Sequence, residues 1–358
     1  MFKRIYPAIL LFVLCIFLVS WGSKGHYAIN NKCPESFPAS MAAFRVWADS
    51  LDIHGSDADN RKSTDPTESQ KHFLDMENFA EYNSKGRIAT TYDSILAIHG
   101  ASFLKTNGTL PWATRSMYDS LKVAFKQSKW HKAMLCASDL GHYIGDGHMP
   151  LHLTVNYDGR QTNQSGIHSR YESDMVADYL SDLTDYTGDS VHFVSDINNY
   201  IFNYIYSSHL YADSVLVADA YATKLAGSTS SSLYYQYLWS KTHFTVKLFH
   251  DSSHSLAELI YTAWIEAGSP AFGKQSVPNS LPDTTAKENI LIYPNPTTGI
   301  IKVTGTDVSK IEIRNIAGIL MGEFYNQQID LSNLPKGMYI LSIYQKNGLL
   351  KKEKVMLN

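Results

Sequence analysis

Between residues 142 and 172 the chain concentrates side chains that bind metals. His142-Tyr-Ile-Gly-Asp146-Gly-His148-Met-Pro-Leu-His152 is followed by His168-Ser-Arg-Tyr-Glu172, so six potential ligands lie within thirty-one residues. His142 with Asp146, and His168 with Glu172, are i,i+4 pairs, and that spacing stacks two side chains on one face of a helix. An imidazole and a carboxylate one turn apart can fill two of the four positions of a zinc ion without strain. Two such pairs with His152 between them point to a multi-metal centre, and that in turn points to hydrolysis. A fold that serves this segment must bring helices together around a polar point. Gly141, Gly145 and Gly147 fit that demand, because they make a poor amphipathic surface but let neighbouring side chains converge.

The rest of residues 21–267 also reads as helical. Phe37, Met41, Phe44, Trp47 and Leu51 make a buried stripe from Ser36 to Leu51. Residues 112–145 read as one long helical stretch, ending near Gly147 with Pro150 beyond. Leu256, Leu259, Ile260, Ala263 and Trp264 repeat the period at the end of the domain. Residues 268–289 are rich in Pro, Ser and Gly without periodicity and read as a linker. From residue 290 the period becomes two. Ile311 and Ile313 alternate with Lys310, Glu312 and Arg314, and turn signals fall at Pro294-Asn-Pro-Thr-Thr-Gly299, Pro335-Lys-Gly337 and Asn347-Gly348. The expected architecture is an all-α domain over 21–267, the linker, and a small all-β sandwich over 290–358.

The first twenty residues read as a secretory signal. Lys3 and Arg4 precede an apolar run from Ile9 to Val19, too short for a membrane span, with cleavage after Ser20. Leu14 before Cys15 does not suit a lipoprotein site, which needs a small residue there. The mature chain then keeps Cys33 and Cys136, which could form one disulfide or remain two buried thiols. Neither has a zinc-thiolate spacing, so a metal site must use nitrogen and oxygen. Residues 21–272 hold 19 Lys and Arg against 27 Asp and Glu. The basic face that usually marks non-specific nucleic-acid binding is therefore missing.

A lone histidine is usually a surface or satisfied core residue, and His99, His131, His192, His209, His243, His250 and His254 are read that way. Two upstream segments can extend the cluster, although taken alone they read as an incidental histidine beside an ordinary tryptophan and as a solvated acidic turn. Cleavage after Ser20 would make Trp21 the first residue, with His26 five positions on. A free α-amine titrates near ~7.7–8.0, low enough for a metal to displace its proton, and with its own carbonyl it forms a five-membered chelate. The second segment is Ser56-Asp57-Ala58-Asp59-Asn60-Arg61, leading to Lys71-His72-Phe-Leu-Asp75.

Taken together, the N-terminal Trp, the early His, the Lys-His-Phe-Leu-Asp segment, His-Tyr-Ile-Gly-Asp with Pro-Leu-His, and His-Ser-Arg-Tyr-Glu resemble a known superfamily. It comprises the bacterial zinc-dependent phospholipases C and the single-strand-specific zinc nucleases of fungi and plants. The resemblance spans residues 21–267 and implies that superfamily's helical fold and three zinc ions. Asp59 or Asp57, His72, His142 and Asp146 would hold the first. His152, His168 and Glu172 would hold the second. The Trp21 amine and carbonyl with His26 would hold the third, with Asp146 bridging it to the first. Ala58-Asp59 matches the local pattern of a small residue before the acid, whereas Asp57 gives the nuclease-like gap of fifteen residues to His72. The Trp21-to-His26 spacing is of nuclease type, Glu172 is of phospholipase type, and Met149 stands where both commonly have Gln. Residues 290–358 resemble the sorting domain of type IX secretion substrates, through Tyr293-Pro-Asn-Pro-Thr-Thr-Gly299 and Lys336-Gly-Met-Tyr-Ile-Leu-Ser-Ile-Tyr344. That implies contact with the secretion machinery and a secreted or cell-surface location.

The resemblance implies phosphodiester hydrolysis by zinc-activated water attacking phosphorus directly. Asp59 or Asp57 would act as ligand and proton acceptor. Arg61 would clamp phosphate, since guanidinium matches its oxygens bidentately, or is a plain surface arginine. The leading expectation is a secreted phospholipase C-like hydrolase acting on a phospholipid headgroup. The alternative is an extracellular nuclease acting on single-stranded nucleic acid, and the third class is a non-catalytic zinc-binding surface protein. Tyr234, Tyr235 and Tyr237 are candidate platforms for a base or a choline headgroup. No Gly-x-Ser-x-Gly elbow supports a serine hydrolase. Monomer is the default oligomeric state, and the mature chain has no segment that reads as a transmembrane helix.

Overall fold

The computed structural model describes residues 22–273, 292–304, 308–315, 320–345 and 348–358. Residues 1–20, which read as a signal, together with Trp21, most of the linker and Asn347, lie outside the described residues. The chain divides into two compact units, Met1–Ser276 and Val277–Asn358. The first is helical, with no strand among its described residues. The second is a small antiparallel β unit.

The helix Trp130–His148 is the axis of the first unit. From Ala133 onward nearly every residue is buried, and its last eight, Gly141 to His148, are buried without exception. Such a helix is enclosed on all sides. The helices Gly22–Lys32, Leu110–Lys126, Ile197–His209 and Phe244–Glu266 pack against it. Two apolar clusters meet along it. Leu140, Tyr143 and Ile144 belong to one, and Met149 and Leu151, just beyond its end, belong to the other. Asp146 falls between them, so the polar ligand set occupies the seam.

Close approach on that axis explains one glycine. A Cβ on Gly141 would stand 2.0 Å from Asn30 Oδ1 and 2.7 Å from Leu256 Cδ2. Asn30 cannot easily withdraw, because its amide donates to the carbonyls of Leu51 at 3.0 Å and Ser138 at 3.1 Å. Gly141→Ala is therefore expected to cost about 1–3 kcal/mol, as overpacking does, and to lower the thermal midpoint by about 2–4 °C per kcal/mol. An unchanged midpoint in a thermal scan would show that Asn30 gives way.

Two helical readings need correction. Residues 112–145 are not one helix: Leu110–Lys126 and Trp130–His148 are separated by Gln127–Lys129, where Ser128 takes a left-handed φ of 53°. The apolar period runs on across the break, which hid it. The stripe from Phe37 to Leu51 is buried throughout, but the 3₁₀ turns Ala39–Trp47 carry most of it before the short helix Ala48–Ile53. Cys33 and Cys136 are both buried free thiols. No helix among the described residues is long and apolar enough to cross a membrane.

In the second unit the strands are β1 (Ile292–Tyr293), β2 (Ile300–Val303), β3 (Val308–Asn315), β4 (Leu320–Phe324), β5 (Gln328–Asp330), β6 (Gly337–Gln345) and β7 (Gly348–Leu357). They form a sheet of order β1-β2-β5 and another of order β4-β3-β6-β7, antiparallel throughout. Ile301, Val303 and Ile329 from the first sheet share one core with Ile311, Ile313 and Leu341 from the second, so the two sheets make a sandwich.

Candidate metal centre

Chain segments far apart in sequence meet at the C-terminal half of the Trp130–His148 helix. His142 and Asp146, one turn apart, point the same way. His72 comes to them from the short 3₁₀ turn Ser69–His72, and Asp59 from the single helical turn Asp57–Arg61. Four donor atoms then face one another: Asp59 Oδ1, His72 Nδ1, His142 Nε2 and Asp146 Oδ2. His72 lies 2.9 Å from Asp146, 3.0 Å from His142 and 3.5 Å from Asp59. His142 lies 3.4 Å from Asp146 and 3.5 Å from Asp59. Ligands at zinc distances and tetrahedral angles stand about 3.3 Å apart, and these five separations are of that size.

A second set adjoins the first. His168 starts a helical segment whose middle, Arg170–Met175, widens to a π-turn, and Glu172 lies within that turn. Glu172 Oε1 is 3.1 Å from His168 Nε2, and its Oε2 is 3.4 Å from His152 Nε2. The two imidazoles stack with centroids 5.0 Å apart. Asp146 connects this set to the first, with Oδ1 3.3 Å from His152 Nδ1. The same oxygen is 3.6 Å from His26 Nε2, and the His26 ring stacks on His142 at 3.8 Å. Three groups thus have mutually close ligand atoms: Asp59, His72 and His142; His26, His142 and Asp146; and His152, His168 and Glu172. Each is able to hold a metal ion.

The imidazole orientations fit that use. His142 Nδ1 is 2.8 Å from the Gly55 carbonyl, His152 Nδ1 is 2.6 Å from that of His72, and His168 Nδ1 is 3.4 Å from that of Tyr157. With Nδ1 donating to the backbone, Nε2 presents its lone pair to the ligand set, which is how ligating histidines are usually held. His152 Nε2, His168 Nε2, Asp59 Oδ2 and Asp146 Oδ1 are buried and make no hydrogen bond. Unsatisfied buried polar atoms are rare, and a cation held by His152, His168 and Glu172 would satisfy the first two. All the donor side chains are oxygen or nitrogen, which suits zinc.

The local field matches. Burial alone would lower the His142 pKa, but Asp59 and Asp146 outweigh it and push it up to about 9. Burial alone would raise Asp146, yet His142 and His152 hold it down at about 2. Asp59 is likewise held well below the usual carboxylate range by His142 and Lys62 against the effect of burial. His26 is driven well below the ordinary imidazole value, chiefly by burial.

Other candidates lie elsewhere. Asp57 pairs with His54 at 2.6 Å and is in none of the three groups. His148 is buried outside them, with Nδ1 bonded to the Ile144 carbonyl and its ring stacked on Tyr204. Arg61 divides its guanidinium between Asp139 at 3.0 Å and Glu68 at 3.5 Å. Tyr234 is fully buried and bonds Asp219 and Arg170, and Tyr235 bonds Asp174. Sequence reasoning passed over Glu68, although it stands at the same i,i+4 spacing from His72 that marked the other pairs.

The described part of the molecule is thus a helical unit built around a buried cage of imidazoles and carboxylates, followed by a β-sandwich. Residues 291–358 match the family described as the secretion system C-terminal sorting domain. The sandwich is therefore a type IX sorting domain, and the protein is secreted or held at the cell surface. Beta-agarase D of Zobellia galactanivorans is 30% identical over 79 residues, which are 22% of this chain and 17% of the agarase, so the chain spans only a small part of that relative. Among solved structures, the alpha toxin of Clostridium absonum aligns over 93% of this chain and 96% of its own, with a TM-score of 0.44 and 12% identity. The alpha-toxin of an avian strain of Clostridium perfringens aligns over 94% of each chain, with a TM-score of 0.45 and 12% identity.

Proposed function

We propose that this protein is an exported zinc-dependent phosphodiesterase of the phospholipase C type. The observation that carries the reading is the close set of Asp59, His72 and His142, with Asp146 beside the two histidines, next to a second set built on His152, His168 and Glu172. The Trp21 amine and carbonyl would complete a third set with His26. Bound zinc supplies a hydroxide near neutral pH and polarises phosphoryl oxygens.

The chain's own residues do the rest. Asp59 is the most accessible donor, with its side chain 12% exposed while those of His142 and Asp146 are fully buried. Lys62 Nζ, 2.6 Å from Asp59 Oδ1, helps keep that carboxylate ionised. In this reading Asp59 would hold metal with one oxygen and accept a proton from water with the other. Glu172 in the second set, and the acidic balance of the domain, favour a lipid over a nucleic acid.

One observation favours the nuclease reading. A cavity of about 750 Å³ beside His148 is lined by Tyr200, Tyr204 and Tyr211. Aromatic platforms of that kind stack unpaired bases.

The mature chain beginning at Trp21, loaded with zinc, is expected to release phosphorylated headgroup from phosphatidylcholine vesicles and to stop when a chelator is added. Chelator-sensitive cleavage of single-stranded DNA alone would replace the lipid reading with the nuclease. Activity on neither, with zinc bound, would favour a non-catalytic surface protein.

A further inference from the structure

The Glu68 carboxylate lies outside the ligand set, against the far side of the His72 ring. It is 1% exposed, and a buried carboxylate is costly unless cations and hydrogen bonds compensate it. Here they do. Tyr143 donates its phenol hydrogen to Glu68 Oε1, Lys71 Nζ is 2.7 Å from Oε2, and Arg61 Nη2 is 3.5 Å from Oε1. A second carboxylate, Asp139, holds the other arm of Arg61 at 3.0 Å.

The point of this assembly is the His72 ring between Glu68 and the cage. Its Nε2 is 3.5 Å from Glu68 Oε1. Its Nδ1 faces the opposite way, toward Asp146, His142 and Asp59. His142, His152 and His168 turn Nε2 to the cage and anchor Nδ1 on backbone carbonyls. His72 is reversed, and in place of a carbonyl it has a carboxylate.

We infer that Glu68 is a positioning residue for His72. Its ionised carboxylate faces Nε2 and favours the ring proton on that nitrogen, which leaves the lone pair on Nδ1, and its charge makes Nδ1 a stronger donor. Tyr143, Lys71 and Arg61 hold the carboxylate in place, so Arg61 serves the cage rather than the substrate. The inference rests on the metal-centre part of the proposed function and is independent of which phosphodiester is cut.

The test compares the full mature chain with Glu68→Gln, which keeps the shape and removes the charge. Zinc affinities would be read by competition with a chromophoric chelator, and the ligand field by visible absorption after cobalt substitution. One metal equivalent is expected to weaken by about 10–100-fold, the cost of removing such an outer partner, with smaller losses at the others and an altered cobalt spectrum. Tyr143→Phe, which removes one support but no charge, should weaken the same equivalent by less, and it serves if Glu68→Gln does not fold. Wild-type affinities and spectrum in both variants would overturn the inference, as would an equal loss over all equivalents with a lower midpoint for the metal-free protein. Wild-type protein that takes up no zinc would refute the metal centre itself, a result visible without any variant.

Discussion

Asp146→Asn is expected to remove two metal equivalents from the mature chain in one step. The carboxylate is used from both sides: Oδ2 lies 2.9 Å from His72 Nδ1 and 3.4 Å from His142 Nε2, while Oδ1 lies 3.6 Å from His26 Nε2. Asparagine keeps the volume but withdraws the negative charge and offers one oxygen where two are needed. Removal of an outer partner typically costs 10–100-fold in metal affinity or activity, so a shared inner ligand should cost more than about 100-fold in hydrolysis. Glu172, by contrast, belongs to the second set, and Glu172→Gln should cost one equivalent. Elemental analysis of the purified proteins checks both. An Asp146→Asn protein with full zinc and full rate would mean that the two sets are independent.

Chelation should have the second large effect, on stability. Without a cation the cage packs several imidazoles and carboxylates into a poorly hydrated seam, and their attraction offsets only part of the desolvation. Ligand at about a thousand times its dissociation constant stabilises a fold by about 4 kcal/mol, which for a domain of this size is about 8–16 °C in the thermal midpoint. The effect depends on pH with a definite sign. The His142 pKa is raised to about 9 in the metal-free fold. Its contribution to metal-free stability is therefore complete below its unfolded value, about 6.5, and is lost as pH rises through about 9. Zinc competes for the same nitrogen, so its affinity rises over that interval. The gap between loaded and chelated midpoints should widen from about pH 6 to about pH 9. A gap under about 2 °C throughout would refute a structural role for the metal.

What could be read before the structure was local. The pairs His142 with Asp146 and His168 with Glu172 follow from helical geometry alone, and the change of period after residue 290 separates the β-sandwich from the helices. His26, Asp59 and His72 reach the cage through long-range packing, which no local pattern encodes; the sequence offers them as candidates, and the family resemblance assigns them to ions. The two aspartates were left open because both stand in one short motif. They are two residues apart in the helical turn Asp57–Arg61, hence on opposite faces, so Asp59 turns toward the cage while Asp57 turns back to His54. Glu68 was missed for a different reason. It is not a candidate ligand, and nothing in the sequence shows that Tyr143, from a distant helix, would reach it.

The two ligand sets are also tied through the backbone. His152 donates its ring hydrogen to the His72 carbonyl at 2.6 Å, and the Leu74 amide donates to the His152 carbonyl at 2.9 Å. A cation that orders His72 therefore also fixes the peptide on which His152 leans, and part of the ordering cost of the neighbouring set is met by the first arrival. Sites related in this way have a coupling free energy, and the coupling is reciprocal. An ion bound at one set would then favour uptake at its neighbour, and the loss of one would be felt more weakly at the other.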